Sequence, residues 1–172
     1  MKKHICNFAI LIIVIGTIFW LGAVNVRSII ANELFEMNTL TWKDSLSLEE
    51  LNAYFNMIAS SSILTLISYT FVIIFTIVYI RFTDLKLKMN GWLMASLILF
   101  FIFFPVEVYT GSYDFKFVYG YFFASADTLY LKDIIIKRVT ALSGLPVIAM
   151  FCYYTIIGLC IWKPFRKTET GK

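Results

Sequence analysis

Phe103-Phe104-Pro105-Val106-Glu107-Val108-Tyr109-Thr110-Gly111 closes a long apolar run and sets one acid, Glu107, where hydrocarbon gives way to headgroups. The run begins at Trp92, so Glu107 lies about 22 Å along a helix that starts there. Pro105 has no N–H to donate and is expected to kink or end such a helix. Beyond it, Tyr113, Phe115, Phe117, Tyr119 and Tyr121 alternate with Asp114, Lys116, Val118 and Gly120. Period two reads as a strand or a short β-hairpin near 106–121, turning at Gly111-Ser112. An aromatic loop lying on the headgroups fits the same residues.

Outward from this stretch, the chain is dominated by apolar runs. Of its 172 residues 60% are hydrophobic and 15% charged, with a mean hydropathy of +0.80. A soluble domain carries about 25% charge and is about half apolar, so the excess points to a bilayer. About 20 helical residues cross a hydrocarbon core of about 30 Å. Four segments qualify as spans, at about 7–30, 56–80, 92–109 and 143–162. The first follows the basic start Lys2-Lys3-His4. It is long for the apolar core of a signal peptide and is read as an uncleaved span.

The fold class expected is therefore an all-α membrane protein, one four-helix transmembrane domain over 1–172. Its outer connections would be 31–55 and 110–142. Within the first, Ser47-Leu48-Glu49-Glu50 fits a capping box, with Ser47 as N-cap and Glu50 three residues on. Leu48, Leu51, Tyr54, Phe55 and Ile58 continue at helical spacing, so one helix is expected from Leu48 to about Ile80. Within the second, 127–142 is amphipathic: Leu129, Ile134, Ile135 and Val139 oppose Lys132, Asp133 and Lys137.

Charge sets the orientation. Lys2, Lys3, Arg81, Lys86, Lys88, Lys163, Arg166, Lys167 and Lys172 fall on one side with only Asp84 and Glu169. Most acids fall on the other. The positive-inside rule then places both termini in the cytoplasm, in keeping with a bacterial inner membrane. Trp20 and Trp42 fall near the outer boundary, Trp92 and Trp162 near the inner one, as in aromatic belts. The net charge of +4 is a topology signal and no nucleic-acid patch.

Arg27 is the other charge at depth, about 30 Å along the first span from Asn7. Charges at such depth pair, face the bundle interior or line a wet cavity. Arg27 and Glu107, with Asn25 and Asn32 close by, are thus the candidate ion pair or outer-leaflet polar pocket for an anion or lipid headgroup. A structural pair, or Arg27 snorkelling to phosphates, explains them without a pocket. Ser61, Thr65, Ser68 and Thr76 share one face of the second span. Small hydroxyl residues there favour close helix packing over a polar path, since no charge accompanies them.

Catalytic chemistry is scarce. His4 is the single histidine, which excludes bis-histidine haem and histidine-based zinc sites within this chain. Cys6, Cys152 and Cys160 lie outside the outer connections, so no disulfide-stapled outer domain forms. Cys152 and Cys160 are read as free thiols. Phosphate-binding glycine loops, metalloprotease helices and nucleophile elbows are missing. No cofactor or metal is expected. The expected partners are the lipid bilayer and other membrane subunits, or further copies of the chain. The function expected is a non-enzymatic accessory or structural subunit of a larger membrane complex. A small oligomeric carrier or channel gated at Arg27 and Glu107 is the alternative, and a membrane enzyme acting on lipid or quinone ranks last.

Overall fold

A computed structural model describes residues 2–36, 41–85 and 87–165. Among the described residues five α-helices follow one another: α1 (Lys2–Asn32), α2 (Leu48–Phe82), α3 (Gly91–Phe122), α4 (Thr128–Thr140) and α5 (Leu145–Trp162). Short 3-10 turns occupy Leu87–Met89 and Ala141–Gly144. The only β pairing among the described residues is an isolated antiparallel bridge between Phe35 and Trp42. Among the described residues four helical segments are long and apolar enough to cross a membrane: α1, α2, α3, and the stretch Thr128–Trp162 that holds α4 and α5.

The hairpin expected near 106–121 does not form, because α3 runs without interruption from Gly91 to Phe122. The apparent alternation splits in two at helical period. Asp114, Phe117, Val118 and Gly120 turn inward, while Phe115, Lys116, Tyr119 and Phe122 are exposed. An α-helix also satisfies every backbone group within its own segment, which a lone hairpin at a membrane boundary does not. Pro105 stands inside α3 and does not end it. Proline is tolerated in such helices when neighbouring groups satisfy the freed carbonyl. The third span is accordingly longer than 92–109.

The α2 helix starts as expected. Glu50 Oε2 accepts from the Ser47 backbone N–H at 2.9 Å and from its hydroxyl at 2.8 Å. The Glu50 N–H donates back to Ser47 Oγ at 3.3 Å. Both halves of the capping box are therefore made. Between α4 and α5 the backbone leaves the helical region: Leu142, Ser143 and Gly144 have φ of 60°, 46° and 90°. Pro146, just inside α5, suits a helix start because its missing N–H has no partner there anyway.

The described chain falls into two compact units. The first joins α1, α2, the part of α3 from Gly111 on, and α4. Its core is Leu34, Phe35, Leu51, Phe55, Ile58, Phe117, Leu131, Ile134 and Ile135, with Ala59 fully enclosed. Phe55 meets Phe117 edge to face at 5.6 Å. Such aromatic pairs add about 0.5–1.5 kcal/mol beyond area burial. The second unit holds 83–110 and 141–165. There Tyr153 of α5 lies between Phe100 at 6.3 Å and Phe103 at 6.5 Å. The Gly91 N–H donates to the Phe165 carbonyl at 3.3 Å, and Lys163 sits 5.7 Å above the Trp92 ring.

The α1–α2 seam is written in small residues. Buried positions of α2 step by four and three: Leu51, Phe55, Ile58, Ser62, Thr65, Tyr69, Val72, Thr76. On α1, Gly16, Trp20, Ala23 and Arg27 step the same way. That 3.5-residue rhythm is the seam of a left-handed antiparallel pair. A Cβ on Gly16 would stand 3.0 Å from Val72 Cγ2 and 3.3 Å from the Ser68 carbonyl, so glycine sets the approach distance. Trp20 stacks at a tilt on Tyr69, with centroids 4.5 Å apart.

Candidate functional site

Each helix of the first unit contributes one polar side chain at a single level. Arg27 continues the buried α1 stripe, and Ser62 continues that of α2. Asp114 precedes Phe117 and Val118 by three and four residues on the buried face of α3. Arg138 follows Leu131, Ile134 and Ile135 by seven, four and three, which puts a cation on the apolar face of α4.

Arg27 Nη1 meets Asp114 Oδ2 at 2.6 Å and also donates to Ser62 Oγ at 3.3 Å. Arg138 Nε donates to Asp114 Oδ1 at 3.1 Å. Both carboxylate oxygens of Asp114 are thus engaged by guanidinium groups on different helices. The Arg27 and Asp114 side chains are only 5% and 6% exposed, whereas Arg138 keeps 22%. Charge-assisted bonds this short are about twice as strong as neutral ones. Their attraction is opposed by desolvation, and breaking one partner of such a buried pair costs about 3–5 kcal/mol. The network clamps four helices at the foot of the apolar core.

The expected site residues fall as follows. Arg27 is central to the network, and its ion-pair partner is Asp114. Glu107 lies two turns earlier on α3, half-buried, within the second unit. Asn25 donates from Nδ2 to the Leu21 carbonyl of its own helix at 2.7 Å. Asn32 is exposed as the last residue of α1. Ser61 donates to the Ile58 carbonyl at 3.0 Å and Thr65 to that of Ser61 at 2.9 Å. Ser68 donates to the carbonyls of Leu64 and Thr65. The hydroxyl stripe is therefore bonded to its own helix, while Thr65, Ser68 and Thr76 are buried.

Sequence reasoning missed Asp114, Arg138 and Ser62. In a loop or hairpin, as the period-two pattern suggests, an acid at Asp114 is unremarkable. A helical reading would have placed it beside Phe117 and Val118, and an acid on a buried face demands a cation. Arg138 carried a similar signal, as the one charge aligned with Leu131, Ile134 and Ile135.

Depth follows from α1. Apart from Ser28, whose hydroxyl donates to the Val24 carbonyl of its own helix, its exposed side chains are apolar from Phe8 to Ile29, about 32 Å at 1.5 Å per residue. That matches a hydrocarbon core of about 30 Å. Arg27 lies about 3 Å short of the Ile29 end, so the network sits just inside that boundary. Above it the first unit is uneven. Glu33, Glu36, Asp44, Glu49, Glu50, Asn52 and Asn56 expose polar groups around the α1–α2 connection. Around the α3–α4 turn, however, Tyr119, Phe122, Phe123, Leu129 and Tyr130 are exposed. They stand about 7 to 14 Å above Asp114 and Arg138 along their helices.

Among the described residues no group of three or more His, Cys, Asp or Glu side chains is placed to hold a metal ion. No family model, curated protein or solved structure matches the chain.

Proposed function

We propose that this chain is a non-enzymatic, multi-pass membrane protein that serves as a small accessory or structural subunit of a larger membrane complex. Its termini face the cytoplasm, following the bias of Lys and Arg in the short connections, and a bacterial inner membrane suits that arrangement. The observation that carries this reading is the collar of Tyr119, Phe122, Phe123, Leu129 and Tyr130. The headgroup layer is about 5–8 Å thick on each side, so Phe122, Phe123 and Leu129 reach its far edge or beyond. Tyr119 suits the aromatic belt, but phenylalanine and leucine exposed above it do not. Five such side chains offer roughly 500 Å² of apolar surface at about 200 Å² per ring, the size that marks an interaction site. Another subunit with an apolar patch at the same height would cover it.

The polar chemistry agrees with a structural role. Asp114 engages both oxygens with arginines of two other helices, which suits a structural role. The test is native mass spectrometry of the chain extracted gently from its own membrane, with and without Phe123→Glu and Leu129→Glu together. Other proteins at a fixed ratio, lost in the double variant while its helicity is kept, would support the reading. A chain that emerges alone, or only with copies of itself, would overturn it.

A further inference from the structure

Arg138 is held at one nitrogen only. Its Nε donates to Asp114 Oδ1 at 3.1 Å, and the two terminal amino groups make no hydrogen bond among the described residues. The other oxygen of Asp114 accepts from Arg27 Nη1 at 2.6 Å and makes no hydrogen bond to Arg138. A guanidinium offers five N–H donors, so four remain on a side chain that is still 22% exposed.

Two further cations share its level. A Cβ on Gly120 would meet Leu131 Cδ2 at 3.2 Å, and Asp114 meets Arg138, so α3 and α4 run antiparallel in that register. Lys116 then lies opposite a position next to Lys137. Both lysines are exposed, and the Lys116 Nζ rests 5.4 Å above the Tyr113 ring. Asp133 is the local acid, and it is bound to Lys137 at 2.6 Å. All three cations stand within about one helical turn of the Ile29 boundary, the depth of lipid phosphates. Desolvated guanidinium groups at this depth seek acceptors, and phosphate matches their planar fork.

We infer that Arg138, flanked by Lys116 and Lys137, binds a phosphate group at the edge of the hydrocarbon, the phosphodiester of a phospholipid in that leaflet. The site sits below the aromatic collar, and the inference stands whether or not that collar meets a partner.

The test uses the full chain purified in maltoside detergent and titrated with dioleoyl phosphatidylglycerol, with retained lipid read by native mass spectrometry. One arm replaces the phospholipid by a phosphate-free galactolipid, and another adds inorganic phosphate as competitor. The variants are Arg138→Lys, which keeps the charge near Asp114 but loses the fork, and Lys116→Gln at an exposed position. One retained phospholipid is expected, held about tenfold more weakly after Arg138→Lys and about threefold after Lys116→Gln. Displacement by inorganic phosphate at similar concentration would assign the same chemistry to a free anion. Wild-type retention in both variants would overturn the inference, as would equal retention of the galactolipid. Should Arg138→Lys lower the thermal midpoint, Lys116→Gln alone decides.

Discussion

Removing the charge of Asp114 while keeping its shape should unfold the first unit from its foot. In Asp114→Asn the side chain stays the same size, yet Arg27 loses its 2.6 Å partner and Arg138 its 3.1 Å partner. Ser62, at 3.3 Å from Arg27, is a neutral hydroxyl and cannot replace the carboxylate. The buried Arg27 and the partly exposed Arg138 then lack the anion between them. Breaking one partner of a buried pair costs about 3–5 kcal/mol. For a chain of this length each kcal/mol moves the melting point by about 2–4 °C, so the expected drop is about 6–20 °C. The assay is thermal unfolding in one detergent, followed by far-UV circular dichroism. The companion variant replaces the whole network: Arg27→Met, Asp114→Leu and Arg138→Met together. Apolar replacement of a complete buried network is often neutral or stabilising, so the triple variant should melt within about 5 °C of wild type. Ser62→Ala should cost about 1 kcal/mol at most. A melting point for Asp114→Asn within about 2 °C of wild type would refute the clamp, as would a triple variant no better than the single one.

Two further outcomes follow from the α1–α2 seam. Gly16→Ala places a Cβ at 3.0 Å from Val72 Cγ2 and should lower the melting point by about 2–12 °C, an overpacking cost of about 1–3 kcal/mol. Gly22→Ala meets nothing within 4 Å and should be neutral or stabilising by about 1 kcal/mol through helix propensity. Equal effects at the two glycines would show that the seam does not set the approach. Cysteine at Thr65 or Ser68, in a background without the native thiols, should resist polar thiol reagents, whereas Asn56→Cys should react readily. Reaction at Ser68→Cys as fast as at Asn56→Cys would mean that water enters the seam, and would restore the carrier reading.

The number of apolar spans was legible because bilayer thickness imposes a length that composition alone reveals. The start of α2 was legible because Ser47 and Glu50 serve local backbone groups, and local bonds are written in adjacent residues. Residues 106–121 misled for a definite reason. Aromatics at every second position fit a strand, and they also fit a helix that turns Phe117 inward and Phe115 and Tyr119 outward. Period two over a short window does not separate these cases when both faces are apolar. The error carried further than secondary structure. With Asp114 in a loop, the sequence offers Arg27 no acid at its own depth other than Glu107.

A buried charge is thus the more reliable guide of the two. Arg27 at depth required a carboxylate within reach. Asp114, moved onto a helix, is the acid that shares a face with Phe117 and Val118. Arg138 then follows from the same rule applied to α4, where it alone among the cations aligns with Leu131, Ile134 and Ile135. Pairing a first deep charge constrains the helix that must supply the second, and through it the third. In this chain that argument reaches from α1 to α4 without a catalytic or binding motif, and it ends on the Arg138 guanidinium, held to Asp114 through Nε.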